Sequence, residues 1–334
     1  MRCVLGIDSG GTKCHAILVR DDGQVLGWGE TDPAEERRRL VAHPGGRGRS
    51  YAAVLKAITR AIGRVDYEEI FIASVASAIP LDFLKTDRPT RIQSCKVPEY
   101  EAAMIQVGET SGVVALAGTG ALVFARNREG SSAHLDGLGP LLGDHGSGYE
   151  IGFRAIRAAA QSGWHPRRNA SFAPAIIKIC GGNPNDPTGI SLLRYQLARR
   201  DRSEIAVLAK IVSEAAKNGD AVAKRIIEEA AADMADTVYD AVDLLKMKDE
   251  PYPFIGTGGI ITGSDVYWDN LCRLVSKFAP RMDPVRSDLP AVVGVALTGL
   301  AKMPGVDFAS AKARLFETTR AFLQSKLSRR LKAA

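Results

Sequence analysis

The stretch VLGIDSGGTKCHAILVRDDGQVLG, residues 4–27, decides the first structural hypothesis. It contains two short apolar runs joined by a glycine-rich turn, and a third run follows the turn at residues 21–23. Short strands joined by turns of this kind form an antiparallel meander. Asp8 ends the predicted first strand, and only Ser9 separates it from Gly10 and Gly11. The sequence therefore predicts a meander that presents a carboxylate beside a glycine turn.

A second stretch, VVALAGTGALVFARNREGSSAHLDGLG at residues 113–139, repeats the same order of parts. Its turn is Gly118-Thr119-Gly120. A repeat separated by about 110 residues predicts two lobes built on one plan, with a ligand in the cleft between them. We predict an α/β chain with a small lobe at 1–117, completed by a C-terminal helix at 311–330. A larger lobe is predicted at 118–305.

Amphipathic periodicity predicts that most of the chain after residue 147 is helical. Buried strands are predicted at 68–77 and 253–258, where apolar residues run without a helical period. The predicted helices cover residues 50–65, 148–163, 203–219 as one helix, 220–247, 291–302 and 311–327.

Composition excludes several classes of protein. At 334 residues, with 46% hydrophobic and 25% charged residues, the chain is long enough for two globular lobes. No apolar run approaches the roughly 18 residues that span a bilayer, and no secretory leader is recognisable, so we expect a cytoplasmic protein. The net charge of +6 is dispersed, which argues against a nucleic-acid partner. The five cysteines form no CxxC pair.

The first glycine turn has the composition of an anion site. Backbone N–H groups in a turn without Cβ atoms form a concavity for phosphate oxygens, which suits Gly10, Gly11 and Thr12, with Lys13 adding charge. Asp8 cannot bind phosphate, but it can hold a hydrated Mg²⁺ ion that does. Alternatively, Asp8 accepts hydrogen bonds within a tight hairpin.

The string GIDSGGTK does not match a P-loop, because its lysine follows threonine and a strand follows the turn. The phosphates would then lie on hairpins. Gly118-Thr119-Gly120 supplies a matching hairpin in the second lobe. Two such hairpins in one chain are more specific than either alone.

These motifs resemble those of the actin-like ATPases, which include sugar kinases. GIDSGGTK is similar to their first phosphate motif, LAGTGA at 116–121 to the second, and FIGTGGI at 254–260 to the glycine pair (Gly258, Gly259) that backs the adenosine. GLGPLLGDHGSGYEIGFRAIRA at 137–158 most resembles the N-acetylglucosamine kinase and BadF/BadG-type ATPase family. The resemblance implies two RNase H-like lobes around a central cleft that holds ATP and Mg²⁺.

The same resemblance implies a carboxylate base toward the attacking hydroxyl. Counting nineteen residues back from Gly118 gives Glu99, where the family has Asp. Glu carries one more methylene, and a displacement of about 1 Å can cost on the order of 100-fold in rate. Alternatively, Glu99 and Glu101 open a helix and favour its N-terminal dipole.

On the acceptor side the sequence departs further from the family. Asp144 matches a position that contacts sugar and nearby phosphate groups, in a loop shaped by Gly143, Gly146 and Ser147 at a helix start favourable for anions. Gly143 and, in the second hairpin, Thr119 are the other candidate substrate-binding residues. The family's sugar-binding Asn has no counterpart in residues 31–46, and its Ser-Gly turn reads SVASAIP at 74–80. Nucleotide binding is therefore better supported than any named acceptor.

Three functions follow as hypotheses. The first is an ATP-dependent kinase that phosphorylates a hydroxyl of N-acetylglucosamine or a glucosamine-like sugar. The second is a BadF/BadG-type ATPase that couples hydrolysis to a partner, although the scattered cysteines argue against a version with a bridging metal cluster. The third is a nucleotide or sugar sensor that has lost turnover. The resemblance also implies a homodimer.

Overall fold

The computed structural model describes residues 1–10, 13–31, 48–75, 91–185 and 200–333. The chain divides into two compact units by its contacts. Unit 1 comprises Met1–Gly108 and Asp288–Ala334, and unit 2 comprises Glu109–Ser287. This division differs from the predicted boundary at 117/118, because the strand at 112–117 pairs within the sheet of unit 2.

Strands and helices alternate along both units. The strands are β1 (Arg2–Ser9), β2 (Cys14–Arg20), β3 (Val25–Thr31), β4 (Glu69–Ser74), β5 (Arg91–Lys96), β6 (Gly112–Ala117), β7 (Ala121–Arg126), β8 (Ser132–Asp136), β9 (Pro253–Thr257) and β10 (Asp283–Arg286). The helices are α1 (Gly48–Ile62), α2 (Glu99–Val107), α3 (Gly148–Gln161), α4 (Ala173–Ile179), α5 (Arg202–Ala206), α6 (Ala209–Lys217), α7 (Ala221–Leu244), α8 (Asp265–Phe278), α9 (Ala291–Lys302) and α10 (Phe308–Ala333).

The two described sheets have one topology. In unit 1 the strand order is β3-β2-β1-β4-β5, and in unit 2 it is β8-β7-β6-β9-β10. In each sheet the first three strands along the chain form an antiparallel meander, and the other two add parallel to the first strand. The internal repeat and the predicted α/β fold of two RNase H-like lobes are therefore confirmed.

Alternation along β1 gives the first sheet two buried faces. Leu5 packs in one core with Ile58 of α1, whereas the neighbouring Val4 packs in another with Leu297 of α9. Successive strand residues point to opposite faces, so both must be apolar when helices cover both sides. The apolar run at the start of the chain is uninterrupted because helices cover both faces of this sheet.

Helix α9 is apolar because it is buried, with every residue from Val292 to Leu300 in the interior of unit 1. At 12 residues it is much shorter than the roughly 20 residues of a transmembrane helix. Among the described residues, no helix combines the length and the apolarity needed to cross a membrane.

The single helix predicted at 203–219 is wrong, because the structure has two helices there, α5 and α6. Two hydrogen bonds between residues three apart, as in a 3₁₀ turn, join these helices. Leu208 N–H donates to the Ile205 carbonyl, and Ile211 N–H donates to the Leu208 carbonyl. Ile205 and Leu208 are both buried. The apolar spacing continues through the tightened turn, and for this reason periodicity alone did not reveal the break.

Candidate functional site

The parallel strands of unit 1 end along one edge of the sheet, and this edge carries Asp8 and Glu99. Val75 N–H donates to the carbonyl of Ile7 at 3.0 Å, and Val97 N–H donates to the carbonyl of Ser74 at 2.8 Å. Asp8 directly follows Ile7 on β1, and Glu99 begins α2 just after β5. Parallel topology therefore brings together two carboxylates that are far apart in the sequence.

These two carboxylates lie in an unfavourable environment for negative charge. Both side chains are half-buried. Burial raises the pKa of Asp8 to about 7, and the negative charge of Glu99 contributes to that increase. Burial also raises the pKa of Glu99 above its usual range. Within the described residues neither carboxylate has an ion-pair partner, so a bound cation would be stabilised here.

The chemistry of this edge fits Mg²⁺. Mg²⁺ prefers oxygen ligands and is usually held by one or two carboxylates, with waters and substrate phosphates completing its shell. The described residues contain no group of three or more side chains that could hold a metal by themselves. Asp8 could therefore anchor a Mg²⁺ ion whose other ligands come from water and phosphate.

The predicted first phosphate hairpin is described only in part. Gly10 N–H donates to the carbonyl of Lys13 at 2.9 Å, which closes the turn between β1 and β2. Gly10 and Lys13 are both exposed. Gly11 and Thr12 lie outside the described residues.

The second predicted hairpin joins β6 to β7. Its turn is closed by a hydrogen bond from Gly118 N–H to the carbonyl of Gly120 at 2.8 Å. The N–H groups of Thr119 and Gly120 have no acceptor within the described part of the chain. Two backbone donors are thus available to an anion at the tip of this turn.

The backbone N–H groups at the start of α3 do not form the anion site that the sequence led us to expect. Gly148 N–H donates to the carbonyl of Gly118 at 2.8 Å, and Tyr149 N–H donates to that of Thr119 at 3.2 Å. Ser147 caps the helix by accepting the N–H of Glu150, whose carboxylate accepts the N–H of Gly146. The donors that usually make a helix start attractive to anions therefore hold the carbonyls of the hairpin and the preceding loop.

Asp144, predicted to bind substrate, is buried beneath the second hairpin with only 2% of its surface exposed. Its Oδ1 accepts the N–H of Ala121 at 3.1 Å, and its Oδ2 lies 2.6 Å from Nη2 of Arg202. Both carboxylate oxygens therefore have a partner inside the protein, and almost none of the side chain is exposed to a sugar hydroxyl. The role of Asp144 as a direct substrate ligand stays a prediction.

Asp136 was not singled out by the sequence analysis. It ends β8 with a left-handed backbone, and its carboxylate accepts the N–H of Asp144 at 2.5 Å and that of His145 at 2.7 Å. A Cβ on Gly143 would collide with this carboxylate. Gly143 is therefore needed for close packing, and the Asp-Gly pair at 136–137 was the signal in the sequence for a tight turn.

Arg202 was also missed, because the basic run RRDR at 199–202 matches no binding motif in the sequence. It is the first residue of α5 and its side chain is 41% exposed. A Cβ on Gly120 would collide with the guanidinium of Arg202 and lie 2.8 Å from Oδ1 of Asp144. The second glycine of the hairpin thus lies directly against this ion pair.

The glycine pair after β9 lies beside the second hairpin. β9 runs parallel to β6, with Thr257 opposite Leu116, and Ile260 N–H donates to the carbonyl of Ala117 at 2.9 Å. Gly258 has a φ of +92° and contacts the Ala117 backbone too closely for any side chain, whereas a Cβ on Gly259 would point into open space. Unit 2 therefore brings together two motifs that were predicted to bind one nucleotide.

A surface cavity of about 460 Å³ lies elsewhere on unit 2, between the loop after β8 and helix α7. Leu138, Leu142 and Leu244 line its apolar part, and His145 and Asp243 line its polar part. None of the predicted site residues lines this cavity, so we do not connect it with nucleotide binding.

The chain was compared with known families and proteins. The model of the BadF/BadG/BcrA/BcrD ATPase family matches residues 5–299. An N-acetylmuramic acid/N-acetylglucosamine kinase of Clostridium acetobutylicum is 25% identical over 291 residues, which are 84% of this chain and 93% of that protein. An N-acetyl-D-glucosamine kinase of Dictyostelium discoideum is 25% identical over 317 residues, 89% of this chain and 97% of that protein.

A solved structure shares the fold. A candidate N-acetylglucosamine kinase of Chromobacterium violaceum superposes with a TM-score of 0.63 at 21% identity, covering 90% of this chain and 99% of that one. The similarity extends through both units, and it agrees with the repeated sheet topology.

Proposed function

The chain belongs to the BadF/BadG/BcrA/BcrD ATPase family, and we propose that it is an ATP-dependent kinase that phosphorylates a hydroxyl of an amino sugar. The observation that carries the proposal is the second hairpin, which presents two free N–H groups beside the glycine turn after β9. The two relatives named as N-acetylglucosamine kinases, each matched over most of its length, support the choice of reaction and acceptor class.

The proposed roles of the residues follow the sequence motifs. Gly118, Thr119 and Gly120 bind nucleotide phosphates, and the pair Gly258 and Gly259 lies on the adenosine side. The turn Gly10 to Lys13 is the phosphate hairpin of unit 1. Thr119, Gly143 and Asp144 form or support the acceptor side. Mg²⁺ held near Asp8 would neutralise charge on the phosphates during transfer.

Glu99 is the proposed base. As the acceptor hydroxyl oxygen bonds to the γ-phosphorus, its proton passes to the Glu99 carboxylate, and the bond from that phosphorus to the ADP oxygen breaks. The raised pKa of Glu99 makes it a stronger base than an exposed glutamate. The carboxylate must be ionised to act, so the rate should fall as the pH drops through this raised pKa.

The two other hypotheses are less well supported. The relatives named as kinases give no support to a partner-coupled ATPase or to a sensor without turnover. The described cysteines are Cys3, Cys14, Cys95, Cys180 and Cys272, and none belongs to a described metal-binding cluster. The homodimer and the cytoplasmic location stay predictions, which sedimentation velocity and cell fractionation would test.

The test is ADP release from ATP and Mg²⁺, first without an acceptor and then with N-acetylglucosamine, N-acetylmuramic acid, glucosamine and glucose. We expect strong stimulation by an amino sugar and a phosphorylated sugar detected by mass spectrometry. Turnover that no sugar stimulates would support the partner-coupled ATPase, and nucleotide binding without turnover would support the sensor.

Variants test the assigned roles. Glu99→Gln should lower kcat by about 10²- to 10⁴-fold, because the amide cannot accept the proton. Glu101→Gln, in the same first turn of α2, is the matched control. Asp8→Ala should abolish Mg²⁺-dependent turnover, and full activity in that variant would remove the magnesium role from Asp8. Glu99→Asp would reveal whether the acceptor preference depends on side-chain length.

A further inference from the structure

We infer that Arg202 is a phosphate-binding residue of this kinase, held against the second glycine hairpin by the buried carboxylate of Asp144. The inference rests on the proposed function, since it names a further ligand for the nucleotide that the hairpin would bind. Nothing in the sequence pattern around Arg202 points to this role.

The neighbouring helix α3 leaves the second hairpin few free donors for an anion. The N–H groups at the start of α3 are already donated to the carbonyls of Gly118 and Thr119 and to side chains of the same loop. Only the N–H groups of Thr119 and Gly120 remain available among the described donors of this turn. Two neutral donors compensate little of the charge of a di- or triphosphate.

Arg202 is suitably located to supply that charge. Its Nη2 lies 2.6 Å from Oδ2 of Asp144, and the ion pair contacts Gly120 so closely that no side chain fits there. Asp144 is its only charged partner within the described residues. A guanidinium has five N–H donors, so an Arg202 side chain that is 41% exposed keeps donors for a second anion.

Asp144 fixes the position of this guanidinium. Its side chain is almost completely buried, its backbone N–H is held by Asp136, and its Oδ1 is held by the N–H of Ala121. With one hydrogen bond on its backbone and one on its carboxylate, Asp144 leaves the paired arginine little freedom. Less conformational entropy is then lost when phosphate binds, which favours affinity. We therefore assign Asp144 a positioning role through Arg202.

The experiment measures binding of ADP, inorganic pyrophosphate and adenosine to the full chain by titration calorimetry. Arg202→Met should weaken ADP and pyrophosphate binding about 10- to 100-fold, the range for a hydrogen bond to a charged group. Adenosine binding should change by less than about twofold, since it lacks phosphate. Arg202→Lys should retain part of the affinity, because it keeps the charge but loses the planar arrangement of donors.

Two further variants separate the inference from a folding defect. Removing Arg202 alone leaves Asp144 buried without its partner, so Arg202→Met combined with Asp144→Asn removes both charges and keeps the acceptor for Ala121. This double variant should show the same loss of ADP affinity. Arg128→Met is the control, because Arg128 is also paired with an acid, Glu250 at 2.7 Å, but lies by Pro251 at the other end of β9.

The outcomes distinguish this inference from the proposed function. Wild-type ADP affinity in Arg202→Met and in the double variant would overturn the inference, even if the wild-type protein phosphorylates an amino sugar. Conversely, a wild-type protein that phosphorylates no sugar, but binds ADP in an Arg202-dependent way, would overturn the proposed function and support the inference.

Discussion

Asp136 accepts the backbone N–H of Asp144 at 2.5 Å, and both residues have left-handed backbones, with φ of 66° and 61°. A left-handed backbone is unusual outside glycine, and Asp and Asn adopt it more readily than other residues. This hydrogen bond fixes the loop that carries Asp144 beneath the second hairpin. The loop geometry therefore depends on a residue outside the predicted set of site residues.

Asp136→Ala should lower the free energy of unfolding by about 1–3 kcal/mol, because the N–H groups of Asp144 and His145 lose their acceptor. Asp136→Asn is the matched variant. Its amide oxygen still accepts one N–H group and it tolerates the backbone conformation, so its effect should be smaller. Urea denaturation measures both, and equal stabilities for the Ala variant and the wild type would contradict this account.

Gly120→Ala should be more harmful than Gly118→Ala. A methyl group at residue 120 would displace the Arg202 guanidinium and lie only 2.8 Å from Oδ1 of the buried Asp144, whereas at residue 118 the nearest atom is the carbonyl oxygen of Gly120 at 4.0 Å. We expect Gly120→Ala to cost about 1–3 kcal/mol of stability, as overpacking usually does. Gly118→Ala should have the melting temperature of the wild type in thermal denaturation. A lower melting temperature for Gly118→Ala than for Gly120→Ala would contradict this packing of the hairpin.

The glycines after β9 offer a second matched pair. Gly258→Ala should destabilise unit 2 by at least about 2 kcal/mol, because residue 258 has a positive φ and contacts the Ala117 backbone. Gly259→Ala should fold normally, since its Cβ would meet no atom within 4 Å. If the nucleotide lies against Gly259, this stable variant should bind ADP more weakly. Calorimetry of binding and of unfolding separates the two effects.

Asp220 links stability to pH. Burial alone would raise the pKa of Asp220, but hydrogen bonds from the Ser171 hydroxyl and from the N–H groups of Ala223 and Ser171 outweigh it and lower that pKa below 3.8. Its contribution is therefore present above about pH 4 and is lost as the pH falls through the lowered folded-state pKa.

The measurement is the unfolding free energy of the wild type and of Asp220→Ala from pH 7 to pH 2. At pH 7 we expect the variant to be less stable by about 1 kcal/mol, the usual value for an N-cap of a helix such as α7. The difference should shrink toward pH 2, and Asp220→Asn should retain part of the cap. A difference that stays constant with pH would show that ionisation of Asp220 is not involved.

Local sequence signals were sufficient for much of the fold. The meander strands, their glycine turns and the long helix α7 follow from alternation, turn residues and helical periodicity, which are properties of neighbouring residues. The repeat of the meander then predicted two sheets of one plan, and the sheet orders confirm it. The break between α5 and α6 was missed because a tight turn leaves the apolar spacing unchanged.

The amino-acid sequence by itself determined the two glycine hairpins, the α/β fold and the family, because glycine turns and strand periodicity depend only on residues close together in the sequence. Only the tertiary structure decided which charged group lies against the second hairpin. Asp144 meets Arg202 across many intervening residues, and Asp8 shares a sheet edge with Glu99 because β1 and β5 end together. Charge pairing of this kind depends on how the strands and helices pack, and no local pattern of residues encodes it.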